Sequence, residues 1–409
     1  MRRREWTRRD TLKSVATGVL GVGVGAAVYR RMNEYLIGTT SDDGVVAAAS
    51  LSENDHEAID LTDHTPLTVI RGVFSDGRSQ SLFSRDDVAF VQPDRKLTHV
   101  SASGAERPAE SETTLPWGID RVDADVAHER GNTGNGVDVG VIDSGIAATH
   151  PGLAENLADP DVDENHESWA ECSGERCTYP WSDDGGHGTH VAATIAGDGG
   201  ENGVVGVAPD ATLHALKVCS AGGGCRTSAV VEAIRYAADQ GWDVVNLSLG
   251  SAQESPALQA AGQYALESGV VPVAAAGNRG SPDSVGYPAV YEEFLAVSAT
   301  NIEDDVADFS STGPEIDIAA PGVDVCSATL DGHDVKSGTS MAAPHVSGAV
   351  AQVLADGYSP SEARERLRDT AEDLGHPETA QGAGLVDVAA ALGYDSGDDG
   401  TGDGISCPA

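Results

Sequence analysis

The sequence predicts an α/β domain built on a mostly parallel central sheet with helices on both faces. After a polar linker at 101–114, valine-rich strand-like segments alternate with helix-like segments along the 409-residue chain. Such βαβ alternation places crossover helices on both faces of a parallel sheet. In addition, Asp143, Ser248 and Asn278 each stand at the end of a predicted strand. Because ligands of such sheets bind beyond the carboxyl ends of the strands, these residues mark the predicted site.

The predicted elements follow one another closely along the chain. The segment GVDVGVID predicts a strand that ends at Asp143, and HGTHVAATIAG predicts a helix that starts at His187. Further on, the predicted order is strand (ATLHALKVC), helix (SAVVEAIRYAADQG), strand (WDVVNLSLG), helix (PALQAAGQYALESG) and strand (VVPVAAAGN). The run SGTSMAAPHVSGAVAQVLA then predicts a helix with Ser340 at its start.

Outside this domain, we predict three further segments. Residues 1–31 contain a basic stretch before an apolar run, and TRRDTLK resembles a twin-arginine export signal, so an extracellular protein is expected. The alternatives are a stray basic pair and an anchor retained in the membrane. Residues 32–112 are expected to form a small α+β unit, with 32–65 poorly ordered and a patterned part at 66–102. After a main domain at 113–393, residues 394–409 are expected to be a flexible acidic tail.

The charge distribution excludes some functions. Residues 1–31 hold eight basic and two acidic residues, so the rest of the chain has 63 acidic against 17 basic residues, an excess of 46. Nucleic-acid binding needs clustered Lys and Arg and is therefore not expected. An acidic, lysine-poor surface resembles the proteins of extreme halophiles, because high salt screens such repulsion. The alternative is an ordinary acidic secreted protein.

The six cysteines suit an exported protein with disulfides. Cys172 lies close to Cys177, and Cys219 lies close to Cys225, so each pair could close a small loop. Zinc binding is the rival interpretation, but neither spacing is the C-x₂-C of a zinc ribbon. Cys326 and Cys407 remain as a third pair.

Three residues together suggest nucleophilic catalysis. Alone, Ser340 could be a helix N-cap, His187 a structural histidine and Asp143 a strand-end cap. As a set they provide a nucleophile, a base that removes its proton, and a carboxylate that orients the base. The chain order Asp143, His187, Ser340 is the order found in subtilisin, which is itself the reference case for it.

The surrounding motifs carry a family resemblance. VIDSGI (141–146), HGTHVA (187–192) and SGTSMAAPHV (337–346) resemble the catalytic motifs of subtilisin-family serine proteases. AAAGN (274–278) resembles the oxyanion-hole motif of that family and LSLG (247–250) its substrate-binding strand. The charge and the export signal point to the halophilic secreted branch, the halolysins.

The resemblance implies a serine endopeptidase made as a self-processed zymogen and acting as a monomer on proteins and peptides. Residues 32–112 would be its own propeptide, with the inhibitor-like part at about 66–102, and would serve as chaperone and inhibitor; an unrelated small domain is the alternative for this segment. Asn278 would donate to the oxyanion, and Arg279 would stand at the rim of the substrate pocket. That pocket would be lined by Ser248, Leu249, Gly250, Ala276, Gly277 and Gly286.

No cofactor is expected for the chemistry. The family's tight calcium site would fall on Gly152 and Gly200, so a structural calcium has no assigned site and no metal ligand is predicted. WSDDGG (181–186) could hold a cation, but it is interpreted as a solvated acidic loop. Two rival functions remain: a catalytically inactive binding protein on the same fold, and an esterase or lipase. The latter is disfavoured because α/β-hydrolases have the order Ser, Asp, His and a G-x-S-x-G elbow.

Overall fold

The computed structural model describes residues 32–99, 115–200, 203–222, 224–395, 400–401, 404 and 407. These residues form two compact units, which divide between Arg95 and Lys96. The predicted export signal lies outside the described residues. Within the described ranges, no helix has both the length and the apolar character needed to cross a bilayer.

The smaller unit is a four-stranded antiparallel sheet with two helices. Its elements are β1 (Met32–Thr39), α1 (Asp42–Leu51), β2 (Glu57–Asp60), β3 (Thr68–Ser75), α2 (Asp76–Phe83) and β4 (Val88–Pro93). The strand order is β2-β3-β1-β4. A small core includes Ile37, Ile70, Phe74 and Leu82, all fully buried.

The expectation that residues 32–65 are poorly ordered is wrong. β1 is a central strand of the small sheet, and α1 and β2 also fall in this range. The acidic residues that lower the average hydropathy lie at exposed positions, for example Asp42 and Asp43 in the first turn of α1. Carboxylates there favour a helix, because they complement the free N–H groups and the dipole at its N-terminus. Ser41 caps the same helix by accepting from Gly44 N.

The larger unit confirms the predicted α/β class. Its main sheet has seven strands in the order β14-β13-β12-β10-β6-β8-β7, and all neighbouring pairs are parallel. The strands of this unit are β5 (Lys96–His99), β6 (Asp138–Asp143), β7 (Glu167–Ser168), β8 (Thr212–Lys217), β9 (Gly224–Arg226), β10 (Val244–Leu247), β11 (Leu249–Gly250), β12 (Val271–Ala275), β13 (Leu295–Thr300), β14 (Ile318–Pro321), β15 (Val325–Thr329) and β16 (Gly332–Lys336).

Helices flank this sheet. They are α3 (Trp117–Arg121), α4 (Ala124–Glu129), α5 (His187–Ala196), α6 (Thr227–Gln240), α7 (Pro256–Glu267), α8 (Thr339–Ala355), α9 (Pro360–Asp369), α10 (Glu378–Gln381) and α11 (Val388–Ala391), with a 3₁₀ turn at Asp163–Asn165. Every residue of β10, β12 and β13 is buried. Strands buried at every position are expected where helices cover both faces of a parallel sheet.

The most buried helix, α8, carries Ser340 close to its N-terminus. Its residues from Thr339 to Val353 are all buried, so its polar side chains need partners inside the protein. Ser347, for example, donates to Asn246 Oδ1 in the middle of β10, at 2.9 Å. The helix is thereby fixed to the centre of the sheet, and its first turn lies near the carboxyl ends of the strands.

The C-terminal residues are also better fixed than the sequence suggested. Cys407 is buried and forms a disulfide with Cys326, the second residue of β15. Gly404 O accepts from Trp117 N at 3.3 Å. The expectation of a flexible tail is therefore wrong at these positions. A crosslink across 81 residues of sequence contributes about 4–5 kcal/mol in the chain-entropy model. The sequence left Cys326 and Cys407 as a third pair, and this pair forms, but the polar composition of the segment favoured a flexible tail.

Candidate active site

Asp143 ends β6, the third of the seven strands counted from the β7 edge of the sheet. The β6–β8 register sets Asp143 opposite Lys217, and the Asp143 carbonyl accepts from the N–H groups of Val218 and Cys219. The carboxylate is fully buried and accepts from the backbone N–H of Ser144 at 2.7 Å. A buried carboxylate must be paired, so its other partners define the site.

His187 provides the main pairing interaction. As the first residue of α5, it places Nδ1 2.8 Å from Asp143 Oδ1 and 3.0 Å from Oδ2. Burial alone would raise the pKa of Asp143, but the imidazoles of His187 and His99 outweigh burial and lower the pKa below its usual value. Asp143 is therefore an anion that fixes the orientation of the His187 ring and leaves Nε2 on the opposite side.

Ser340 is held by a reciprocal pair of hydrogen bonds with Ser248. The Ser340 hydroxyl donates to Ser248 O at 2.9 Å, and the Ser248 hydroxyl donates to Ser340 O at 2.8 Å. Asn246 Nδ2 in turn donates to Ser248 Oγ at 3.0 Å. Ser340 is the second residue of α8, and the N-cap is Gly338, so the capping interpretation of this serine does not hold.

The Ser340 hydroxyl and His187 are not hydrogen-bonded to each other. His187 Nε2 is buried and has no hydrogen-bond partner among the described residues. A rotation about the Ser340 Cα–Cβ bond redirects the hydroxyl without moving the backbone. Catalytic hydrogen bonds often align only when substrate is bound, so this geometry is compatible with a nucleophile and its base.

Asn278 is oriented by Thr339, the residue that precedes Ser340. Its Oδ1 accepts from Thr339 N at 3.0 Å and from Thr339 Oγ1 at 2.9 Å. The Thr339 hydroxyl also accepts from Gly277 N at 3.0 Å. Because Thr339 donates to the amide oxygen of Asn278, these hydrogen bonds fix which terminal group of the side chain is the NH₂ donor.

The residues predicted to line the substrate pocket are close together. Gly286 N donates to Ala276 O at 2.8 Å, and Ser251, next to Gly250, pairs in both directions with Tyr287. A Cβ built on Gly286 would lie 3.2 Å from Ser251 O and 4.0 Å from Arg279 Nη2. Gly286 therefore leaves open a space that any larger residue would narrow, and Arg279 borders it.

A segment of the chain itself lies in the cleft beside these residues. β5 pairs antiparallel with β11 on one side and with β9 on the other, and Leu97 is buried opposite Cys225. His99 stacks on His187 with ring centroids 4.1 Å apart, and its Nε2 lies 3.2 Å from Asp143 Oδ1. Burial would lower the pKa of His99, but the charge of Asp143 outweighs it and raises that pKa.

The acidic loop was interpreted incorrectly as solvated. Asp183 is buried: its Oδ1 accepts from Ser144 Oγ and from two glycine N–H groups, and its Oδ2 accepts from the Thr189 N–H and hydroxyl. Asp184 accepts from the fully buried Lys217 at 2.7 Å. A free helix N-terminus attracts carboxylates. Asp183 thus connects the residue after Asp143 to the first turn of α5.

The two predicted local cysteine pairs are present. Cys172–Cys177 and Cys219–Cys225 are disulfides. His190 is a structural histidine: its Nε2 lies 3.2 Å from Val325 O and 3.2 Å from Asp334 O.

Gly152 and Gly200 offer no side-chain oxygen to a calcium ion, and the carboxylate of the nearby Asp198 already accepts from Gly200 N at 2.7 Å. These positions do not fit the oxygen-donor set that calcium requires.

The geometry agrees with what comparison with known proteins shows. Residues 134–384, more than half of the chain, match the Subtilase family (Peptidase_S8). The chain belongs to the subtilase family. It is accordingly a serine endopeptidase of the subtilisin type.

Several curated relatives support this assignment. Subtilisin E of Bacillus subtilis is 39% identical over 310 residues, which cover 74% of this chain and 75% of that protein. An alkaline protease of Alkalihalobacillus alcalophilus is 37% identical over 384 residues, covering 90% of this chain and 93% of that protein. Subtilisin DY of Bacillus licheniformis is 42% identical over 284 residues, covering 68% and 98%.

The Asp183 network predicts a catalytic defect in a variant that leaves Asp143, His187 and Ser340 unchanged. In Asp183→Asn, one carboxylate oxygen becomes an NH₂ group that cannot accept, so either Thr189 or Ser144 and the two glycine N–H groups lose their acceptor, and we expect α5 and His187 to shift relative to Asp143. A displacement of a catalytic group by roughly 1 Å lowers kcat by about 10- to 100-fold, and we expect little change in KM. Steady-state kinetics measures both values. Asp198→Asn, just beyond the other end of α5, is the matched control and should keep wild-type kcat. A normally folded Asp183→Asn enzyme with wild-type kcat would contradict the role.

Proposed function

We propose that this protein is a secreted serine endopeptidase, made as a zymogen, in which Asp143, His187 and Ser340 form the catalytic triad. The observation that carries the proposal is the buried Asp143–His187 pair at the same end of the sheet as Ser340. The strand β5, paired as a peptide substrate would be, supports it.

The proposed reaction follows from the positions of these groups. Ser340 Oγ attacks the carbonyl carbon of the substrate, and His187 Nε2 takes the hydroxyl proton. Asp143 stays ionised, holds the His187 tautomer and stabilises the imidazolium. His187 then gives the proton to the leaving amine. Water hydrolyses the acyl-enzyme in the same way, and Ser340 regains its proton.

Asn278 is proposed to stabilise the oxyanion. The Thr339 hydrogen bonds hold its carboxamide in place before the reaction, so little reorganisation is needed as negative charge develops. The proposed pocket for the side chain before the cut lies between Ser248–Gly250 and Ala276–Gly277, with Gly286 at its wall. A glycine-walled neutral pocket suits large apolar or aromatic side chains, and Arg279 at the border adds tolerance for acidic ones.

The precursor is proposed to inhibit and process itself through the segment that includes β5. The register sets His99 opposite Leu249. Leu249 directly follows Ser248, whose carbonyl accepts a hydrogen bond from the Ser340 hydroxyl. The first cut is therefore expected between Val100 and Ser101, just outside the described residues and at the start of the linker.

Replacement of the nucleophile tests this proposal. The Ser340→Ala chain should remain an uncleaved precursor without peptidase activity, because self-processing and hydrolysis need the same hydroxyl. The wild-type product of the first cut should begin at Ser101. Gel mobility, casein hydrolysis and N-terminal sequencing provide the measurements, with a lipid ester as the substrate that would reveal an esterase instead. Wild-type processing of Ser340→Ala, or a first N-terminus upstream of Lys96, would refute the proposal.

The location and the solvent conditions are also proposals. The twin-arginine resemblance supports export, and curated relatives of the chain are subtilisins. The acidic excess supports the halophilic, halolysin-like branch. Lysines do little to offset it, because Lys217 is fully buried with Asp184 and Lys336 pairs with Asp334. We further propose a monomer that acts on proteins and peptides and does not bind nucleic acid.

Salt should stabilise this surface. Repulsion between exposed carboxylates destabilises the compact state at low ionic strength, and salt shortens the screening length to about 3 Å at 1 M. Melting temperature and activity should therefore rise from about 0.1 M to several molar NaCl. Sucrose of equal osmotic strength is the uncharged control. Full activity and an unchanged melting temperature at the dilute end would show that the acidic surface is no salt adaptation.

A further inference from the structure

We propose that the Cys219–Cys225 disulfide is a specificity-determining part of the substrate cleft, where it fixes strand β9 and forms a wall for the second side chain before the scissile bond. The proposal rests on the proposed protease function and on the assignment of β5 as a substrate-like strand. Nothing in the chemistry of the triad requires this disulfide, so its role can be tested separately.

The strand β9 depends on support from outside the ladder. It has three residues, and its ladder partner in the described part of the chain is β5. When β5 or a substrate leaves, Cys225 still forms an isolated antiparallel bridge with Cys219, but so short a pairing is not stable alone. The bond from Cys225 to Cys219 is then the covalent constraint that holds the cleft wall in a binding-competent position.

The other end of the disulfide is fixed to the catalytic centre. Cys219 N donates to the Asp143 carbonyl at 3.1 Å, and the preceding Val218 N donates to the same oxygen at 2.9 Å. The disulfide therefore connects the wall of the cleft to the strand end that carries the triad carboxylate. Through it, the distance between the bound peptide backbone and the triad is set by covalent geometry.

The sulfur atoms also lie against the bound segment. Both cysteines are fully buried, and a ring nitrogen of His99 lies within 4.8 Å of both sulfurs. Leu97, two residues earlier, is paired with Cys225. With a cut after Val100, His99 is the second side chain before the scissile bond. Its ring thus stacks on the His187 ring and also lies near the disulfide, and sulfur next to an aromatic ring is a favourable contact.

The second local disulfide provides a matched control. Cys172–Cys177 closes a loop with a sequence separation of 5, against 6 for Cys219–Cys225, so the chain-entropy model assigns the two bonds nearly equal stability. Cys172 and Cys177 are only half-buried and lie outside the three-stranded sheet β11-β5-β9. A comparison of variants that lack one or the other disulfide therefore distinguishes a role in the cleft from a general role in stability.

The experiment compares Cys219→Ala/Cys225→Ala with Cys172→Ala/Cys177→Ala. The substrates are a chromogenic amide of the peptide Lys-Leu-Thr-His-Val and an ester of a single blocked amino acid, which does not reach β9. Active enzyme is counted by titration with a fluorophosphonate. We expect KM for the peptide to rise roughly tenfold in the first variant, equal to about 1.4 kcal/mol of binding free energy. Its kcat on the ester, and both constants of the control variant, should stay at wild-type values.

Two results would overturn the proposal: equal KM changes in both variants, or an unchanged peptide KM in the first. If that variant does not mature, mature wild-type enzyme is reduced and alkylated instead. Peptide mass spectrometry then identifies molecules that are modified at Cys219 and Cys225. The same comparison of KM for the peptide decides whether the proposal holds. Because catalysis by a serine nucleophile uses no thiol, the reductant does not attack the mechanism. Failure of the wild-type enzyme to react with the fluorophosphonate would instead refute the proposed protease function.

Discussion

The rest of the site depends on the burial of one carboxylate. Asp143 is fully enclosed at the end of β6, where an unpaired charge would be strongly destabilising. It is balanced by the Ser144 N–H, by His187 and, with β5 in the cleft, by His99. These requirements fix where α5 begins, because His187 is its first residue. The geometry of the Asp143–His187 pair is thus a consequence of pairing a charge inside a parallel sheet.

Two buried hydrogen-bond networks position the start of α5 and the start of α8. Asp183 joins the turn after Asp143 to the first turn of α5, and Ser248 joins the end of β10 to the first turn of α8. Ser340 and His187, the proposed nucleophile and base, therefore lie on two helices whose N-termini are each fixed to strand ends by side-chain hydrogen bonds. Sites supported by such rigid elements keep their geometry better than sites on loops. Salt screens the exposed carboxylates but has little influence on these enclosed ones.

Local sequence patterns predicted the parallel sheet and most of the site, because strand ends and helix starts are encoded by neighbouring residues. Asp143, Ser248 and Asn278 follow valine-rich runs, and Ser340 precedes a helical pattern. The failures concern residues whose environment is set by distant partners. The acidic loop was taken as solvated, but Asp183 and Asp184 find donors on Ser144, Thr189 and Lys217. Likewise, the tail was taken as flexible, yet Cys407 bonds to Cys326 across the chain.

The most direct test of the triad assignment is chemical labelling of the nucleophile. A fluorophosphonate should modify wild-type protein at a single residue, and peptide mass spectrometry should place the label on Ser340. The same labelling of His187→Ala should be slower by orders of magnitude, because the hydroxyl then lacks its base. A label on another serine, or labelling of His187→Ala at the wild-type rate, would contradict the account.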